Sequence, residues 1–166
     1  MATITLKGNE IHTNGELPKI GSDAPLFTLI GSDLSLIHAS DLRGKKVVLN
    51  ISPSLDTGVC AASARFFNKA ASEGMGATVL LVTKDLPFAQ KRFCEAEGLE
   101  NVIPASDFRD SNFGEAYGTL LVDGPMAGLH SRAVVVVNEE GNVIYTQQVP
   151  ETIDEPDYDK VLNALK

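Results

Sequence analysis

The residues with the clearest chemical potential lie in one polar loop that ends at a cysteine. Residues 52–60 read SPSLDTGVC and join an apolar, β-branched segment to a run of good helix formers. The first N–H groups of a helix have no partner within the helix, and the helix dipole is positive there. Both effects stabilise an anion, so this position favours the thiolate form of Cys60, which is the reactive form. The alternative is an inert, buried cysteine, but a polar loop is not an apolar core site.

Three further residues could complete a site around the sulfur. Thr57 could donate its hydroxyl to the sulfur or to a bound oxygen substrate, or else it or Asp56 caps the helix. Pro53 stiffens the loop and would shield the sulfur from water. Arg132 stands at the start of a buried strand, where a charge is unusual unless paired. Its guanidinium could stabilise a thiolate and hold a peroxide oxygen, and a solvent-exposed arginine is the alternative.

The second cysteine, Cys94, lies in the middle of a predicted helix over residues 86–97. As a functional group it would condense with a sulfenic acid on Cys60 to give a disulfide. As a structural residue it would simply pack in the core. Cysteines on different helices can lie beyond the roughly 7 Å Cα separation that a disulfide tolerates, so local unwinding would be required. The cysteines and histidines show no zinc-ligand spacing, so no metal site is predicted.

Hydrophobic patterning predicts alternating strands and helices around these residues. Buried strands are predicted at residues 46–52, 77–83, 101–104, 133–138 and 142–149. Helices are predicted at residues 60–73, 86–97, 112–117 and 156–166. This β-α-β-α-β-α-β-β-α order favours a mixed, mainly parallel sheet covered by helices, with an antiparallel edge from the last hairpin. A thioredoxin-like α/β fold satisfies the order, and a flavodoxin-like sheet is the competing architecture.

Chain length and charge limit the possible classes of protein. The size predicts one domain over residues 1–166, with residues 1–17 as an N-terminal β-hairpin that turns at Gly8-Asn9. A net charge of −8 argues against binding to nucleic acid or to an anionic membrane surface. No apolar run approaches the roughly 18 residues of a membrane span. The first residues lack a secretory signal, which indicates the cytoplasm, with the periplasm as the alternative.

The pattern Pro53-x-x-x-Thr57-x-x-Cys60 matches the active-site signature of the peroxiredoxins. The fuller sequence of the loop closely resembles bacterial thiol peroxidases, the atypical two-cysteine subfamily. Cys94 on the following helix and Arg132 at the start of a strand fit the same subfamily. The N-terminal hairpin fits it too, so the resemblance covers essentially the whole chain.

The resemblance implies a thioredoxin-like fold and a thiol-based peroxidase that serves antioxidant defence and redox homeostasis. Cys60 would be the peroxidatic cysteine, reducing hydrogen peroxide and alkyl hydroperoxides to water or alcohols. Thr57 and Arg132 would hold the peroxide, and Pro53 would shape the pocket. Cys94 would resolve the sulfenic acid as an intramolecular disulfide. Thioredoxin, fed by its NADPH-dependent reductase, would recycle a homodimeric enzyme that needs no metal, haem or flavin.

Spacing alone does not select peroxide as the substrate, so other functions stay open. A peroxide-responsive redox sensor could use the same disulfide as a switch. A disulfide oxidoreductase is disfavoured because Thr57 stands where a C-x-x-C motif would place its first cysteine. Elsewhere, the acidic segment 151–159 is predicted to be a solvated face. Met126 and Leu129 are predicted to be ordinary loop packing, with a substrate pocket or a dimer contact as the alternative.

Overall fold

The computed structural model describes residues 1–166, which form nine strands and four α-helices. The strands are β1 (Thr3–Leu6), β2 (Asn9–His12), β3 (Thr28–Gly31), β4 (Leu36–His38), β5 (Val47–Ile51), β6 (Thr78–Thr83), β7 (Ile103–Ser106), β8 (Ala133–Val137) and β9 (Val143–Gln148). The helices are α1 (Gly58–Ser72), α2 (Pro87–Glu97), α3 (Asn112–Tyr117) and α4 (Tyr158–Ala164). None of the helices has both the length and the apolar composition that crossing a membrane requires.

Strands β3 to β9 form one mixed sheet in the order β4-β3-β7-β6-β5-β8-β9. The predicted α/β class and the antiparallel edge made by β8 and β9 are confirmed. The prediction of a mainly parallel sheet was wrong, because only β5–β6 and β6–β7 pair in parallel. The chain between β7 and β8 stays at one end of the sheet, where Ala133 pairs with Ile51, the last residue of β5. Strand β8 therefore runs back antiparallel to β5, and the flavodoxin-like strand order does not occur.

Strand β5 is fully buried because the sheet carries an apolar core on each face. Leu49 and Ile51 pack into a cluster with residues of α3 and β3. Val48 points to the other face and packs with Phe67 of α1 and with residues of α2 and α4. A strand covered on both faces has a continuous apolar sequence, as residues 47–51 do. Strand β5 thus gives a fixed position to the start of the polar loop that follows it.

The N-terminal hairpin forms a separate two-stranded sheet with a shifted turn. Strands β1 and β2 pair with Leu6 opposite Asn9, so the turn residues are Lys7 and Gly8 and not the predicted Gly8-Asn9. Both turn residues have positive φ, 51° and 81°. This conformation suits the twist of a two-residue hairpin, and glycine adopts it without strain. The hairpin is anchored by an apolar cluster of Ile4, Ile11 and Leu121.

Candidate active site

The sulfur of Cys60 lies in the first turn of α1, which follows β5 and the polar loop. The helix begins at Gly58, two residues earlier than predicted, because Thr57 has the extended backbone of an N-cap residue (φ −95°, ψ 148°). The first intrahelical bond runs from the Ala61 N–H to the Thr57 carbonyl at 2.9 Å. The N–H groups of residues 58–60 precede this ladder and have no partner within the helix. Cys60 is fully buried, at 0 % exposure.

A buried arginine donates directly to this sulfur. Arg132 Nη1 lies 3.1 Å from Cys60 Sγ, and its Nε donates to the Thr152 carbonyl at 2.9 Å. Arg132 is only 3 % exposed, so the alternative of an arginine in solvent was wrong. No carboxylate lies within ion-pair distance of its guanidinium. A buried charge requires polar partners, and the Thr152 carbonyl and the Cys60 sulfur are the partners that Arg132 contacts.

Thr57 is held beside the site but does not touch the sulfur. Its hydroxyl donates to the Ser54 carbonyl at 3.0 Å and makes no side-chain cap bond. The hydroxyl proton is used in this bond, so the Thr57 oxygen can accept a hydrogen bond from a ligand but cannot donate one. Pro53 is buried in the same loop, which we call the active-site loop (residues 52–60). Asp56, the other proposed cap, is exposed.

A cavity of about 640 Å³ opens over Arg132 and Thr57. Most of its wall comes from three segments that are distant in sequence: the N-terminal hairpin, the loop that follows Leu121, and the chain after β9. The lining residues are Leu6, Lys7, Asn9, Ile11, Thr57, Gly58, Val59, Pro125, Met126, Arg132, Thr152 and Ile153. The site therefore has a polar floor beside the sulfur and a largely apolar rim.

Met126 and Glu151 have contacts beyond those predicted from the sequence. Met126 packs against the hairpin cluster, as loop packing predicts, but it also lines the cavity, whereas Leu129 does not. Glu151 is not simply solvated, because its carboxylate accepts bonds from the N–H groups of Lys7 (3.1 Å) and Gly8 (2.8 Å). These donors lower the pKa of Glu151. The chain after β9 thus fixes the hairpin turn over the cavity, a role that its acidic composition did not reveal.

Cys94 lies on α2, away from the cavity lining. It is 8 % exposed and packs in the apolar cluster that includes Leu55 of the active-site loop. Burial raises the pKa of the Cys94 thiol to about 11. Both cysteines are free thiols in this structure. Cys94 therefore has the packing of a core residue in this conformation, and it would need exposure to act as a nucleophile.

No group of three or more His, Cys, Asp or Glu side chains is arranged to hold a metal ion. The chemistry that the arrangement supports is that of a sulfur nucleophile beside a cation, with hydrogen-bond donors and a small-molecule cavity.

Comparison with known proteins agrees with this chemistry. The sequence profile of the Redoxin family matches residues 19–162, and the chain belongs to that family. A thiol peroxidase of Mycobacterium tuberculosis is 62% identical over 165 residues, which cover 99% of each chain. A thiol peroxidase of Corynebacterium glutamicum is 52% identical over the same share of each chain. The enzyme is thus a thiol-dependent peroxidase of the peroxiredoxin type, and the predicted resemblance is confirmed.

The fold of the chain is also found in solved relatives. A peroxiredoxin-like protein from Aquifex aeolicus superimposes with a TM-score of 0.93 at 40% sequence identity, covering 99% of this chain and 96% of that one. The thioredoxin-like fold class is confirmed by this neighbour together with the family match.

Proposed function

We propose that the enzyme reduces hydroperoxides with Cys60 as the peroxidatic cysteine. The observation that carries this proposal is the 3.1 Å contact between Arg132 Nη1 and Cys60 Sγ in the first turn of α1, beside an open cavity. A buried cation and the helix N–H groups that have no intrahelical partner lie at this end of α1. The same groups lie where negative charge develops in the reaction.

In the first step the Cys60 thiolate attacks the terminal oxygen of the peroxide. An S–O bond forms, the O–O bond breaks, and the electron pair of that bond leaves with the distal oxygen as an alkoxide or hydroxide. The leaving oxygen takes a proton and departs as alcohol or water. Arg132 stabilises the charge as it moves from sulfur to oxygen, and the Thr57 hydroxyl accepts a hydrogen bond from the peroxide O–H. Pro53 closes the loop around the sulfur, and Cys60 is left as a sulfenic acid.

The cavity rim supports alkyl hydroperoxides as substrates in addition to hydrogen peroxide. Leu6, Ile11 and Met126 contribute apolar side chains to it, and Ile153 does so from the opposite segment. Small-molecule sites of this kind combine an apolar wall with a few polar groups that fix orientation. An alkyl group on the peroxide would bury apolar surface there, while hydrogen peroxide would use only the polar floor.

In the second step Cys94 would resolve the sulfenic acid. Its thiol condenses with the Cys60 sulfenic acid, so an S–S bond forms and water leaves. Cys60 lies in α1 and Cys94 in α2, and both are buried free thiols in this conformation. We therefore propose that this step proceeds through local unfolding of the active-site loop or of α2. Unfolding would also expose Cys94 to water and so remove the burial that raises its pKa.

A dithiol reductant would complete the cycle, and thioredoxin is the one that we propose. Its two thiols would reduce the Cys60–Cys94 disulfide and become a disulfide themselves. This proposal places the enzyme in the cytoplasm as a homodimer built from single domains, with residues 1–17 as an extension. We propose that the peroxidase itself uses no metal, haem or flavin.

Steady-state turnover with thioredoxin, its reductase and NADPH tests this scheme. Cys60→Ser should abolish NADPH oxidation with cumene hydroperoxide. Cys94→Ser should still consume one equivalent of peroxide but should stall before a second turnover. Sustained activity of Cys60→Ser would contradict the assignment of Cys60, and sustained thioredoxin-dependent activity of Cys94→Ser would contradict that of Cys94.

A redox sensor is a second candidate, favoured by the burial of both cysteines. Forming a disulfide between them must remodel the surface around the active-site loop, and a partner could recognise that change. Rapid reduction by thioredoxin over many cycles would argue against this role. Stable binding of a partner to the oxidised form alone would argue for it.

A further inference from the structure

A carboxylate outside the cavity binds the active-site loop. Asp85 lies between β6 and α2, and its side chain accepts three hydrogen bonds. Ser54 Oγ donates to Oδ1 at 2.7 Å, and the Leu55 N–H donates to Oδ2 at 2.8 Å. Thr83 Oγ1 donates to the same Oδ2 at 2.9 Å. Two of the three donors therefore belong to the loop that precedes Cys60.

These bonds reach the Thr57 hydroxyl through Ser54. The Ser54 carbonyl accepts from the Thr57 N–H at 3.2 Å and from the Thr57 hydroxyl at 3.0 Å. Ser54 Oγ, which donates to Asp85, also accepts from the Asp56 N–H at 3.1 Å. A displacement of Ser54 would therefore move Thr57. Asp85 itself does not line the cavity, so any effect on the sulfur site acts through the loop.

The other side of Asp85 connects to the helix of Cys94. Thr83 Oγ1, which donates to Asp85, accepts a bond from Gln90 Nε2 at 3.0 Å. Gln90 is fully buried on α2 and lies one turn before Cys94, on the same face of the helix. One carboxylate thus joins the loop that carries Cys60 to the helix that carries Cys94.

We infer that Asp85 is a positioning residue that holds the active-site loop in the conformation that reduces peroxide and releases it before the disulfide forms. The inference rests on the function proposed above. A Cys60–Cys94 bond requires the loop or α2 to open, and opening the loop breaks the bonds from Ser54 and Leu55. Hydrogen bonds to a carboxylate are roughly twice as strong as neutral ones, so they oppose that opening. Loss of Asp85 should therefore slow the first step and accelerate the second.

Two substitutions of Asp85 remove different numbers of its three hydrogen bonds. Asp85→Asn keeps the shape of the side chain and can still accept from the Leu55 N–H, but its amide nitrogen cannot accept from Ser54 Oγ. Asp85→Ala removes all three bonds. Rapid-quench mass spectrometry follows sulfenic acid formation in a Cys94→Ser background and disulfide formation in the chain with both cysteines. We expect Asp85→Ala to slow sulfenic acid formation about tenfold and to speed disulfide formation about tenfold, with smaller changes in Asp85→Asn.

Asp33→Asn is the matched control. Asp33 Oδ1 also accepts from an N–H (3.0 Å) and a hydroxyl (2.5 Å), both of Ser35, but it lies in the turn between β3 and β4 at the edge of the sheet. This variant should leave both steps within about twofold of wild type. Equal slowing of both steps in Asp85→Ala would indicate general destabilisation and would overturn the inference. So would the absence of any change.

Amide hydrogen exchange of the reduced protein separates this inference from the proposed function. In Asp85→Ala, the amides of residues 54–58 should exchange at least about tenfold faster than in wild type and in Asp33→Asn. Unchanged exchange there overturns the role of Asp85 alone. A wild-type protein that shows no Cys60-dependent reaction with peroxide overturns the proposed function, whatever the exchange result.

Discussion

Replacing Arg132 with methionine tests whether the contact to Cys60 drives the first chemical step. The gross attraction between a guanidinium and a thiolate 3.1 Å apart is about 5 kcal/mol at an effective dielectric constant of about 20. Part of that attraction is lost to solvent and to rearrangement when the cation is removed. We therefore expect a barrier about 3 kcal/mol higher, which corresponds to a rate reduced by a factor of about 100.

The stability of the same variant should change in a different way from its activity. A buried arginine costs desolvation free energy, and methionine fills a similar volume without that cost. Methionine also places no buried charge at this position. Arg132→Met should therefore unfold within about 1 kcal/mol of wild type despite its loss of activity. Arg132→Lys keeps the charge, but lysine lacks the fixed fork that donates to both the sulfur and the Thr152 carbonyl. The rate of the first step should therefore fall about tenfold in Arg132→Lys.

Stopped-flow measurement of sulfenic acid formation in a Cys94→Ser background isolates the step concerned. Cumene hydroperoxide is the substrate, and urea unfolding of each variant supplies the stability. A first-step rate in Arg132→Met within threefold of wild type would refute the reasoning. A loss of rate accompanied by a matching loss of folding stability would refute it as well, because the effect would then be structural.

Three further predictions concern the N-terminal hairpin and the chain after β9, the two segments that contribute to the cavity wall. Ile153→Ser should raise the KM for cumene hydroperoxide about threefold to tenfold by removing apolar contact and should leave the kinetics with hydrogen peroxide unchanged; equal effects on both substrates would contradict an apolar subsite. Glu151→Gln should lower the melting temperature at pH 7, and the difference from wild type should vanish in acid. Hydrogen bonds from backbone N–H groups lower the pKa of Glu151 from 4.5. The stabilisation by its carboxylate is therefore present above pH 4.5 and is lost as the pH falls through the lowered pKa. A difference in melting temperature that persists in acid would contradict this. The pKa of His12 is raised from 6.5 by hydrogen bonding to Asp123, so its charged form stabilises the fold below that value, and the contribution is lost as the pH rises through the raised pKa. His12→Asn should therefore lose more thermal stability relative to wild type at pH 5.5 than at pH 9, and the reverse order would contradict the assignment.

Local sequence signals predicted that Cys60 lies in the first turn of a helix that follows a buried strand. The loop of residues 52–60 follows a continuous apolar strand and leads into helix formers, so a cysteine in the first helical turn follows from short-range patterning. The start of α1 was predicted two residues too late. Thr57 takes the backbone conformation of an N-cap, but its side chain makes no capping hydrogen bond. Arg132 was found because a charge at the edge of a buried strand requires a partner.

The surroundings of the centre could not be predicted in the same way, because they depend on contacts between distant segments. Nothing in residues 1–17 indicates that the hairpin covers the sulfur site, since its alternating pattern fits any half-buried surface. Glu151 was predicted to be solvated because it stands in an acidic run, and its bonds to Lys7 and Gly8 exist only in the folded chain. The contact of Asp85 with the active-site loop is equally non-local.

The direction of β8 illustrates the same limit at the level of topology. Alternating strands and helices normally indicate parallel crossovers, and on that basis the sheet was predicted to be mainly parallel. The short helix α3 does not carry the chain back along the sheet, and the pairing of Ala133 with Ile51 decides the direction. The direction of β8 therefore depends on the path of the chain between β7 and β8, which hydrophobic periodicity does not predict.

A single-turnover count of thiols tests the central claim most directly. The reduced protein receives one equivalent of cumene hydroperoxide, and free thiols and intact mass are followed with time. We expect that both Cys60 and Cys94 lose their thiols within seconds, that the mass falls by two hydrogens, and that the chain stays monomeric in mass. Loss of thiols over hours, or equally fast loss in Cys60→Ser, would contradict it.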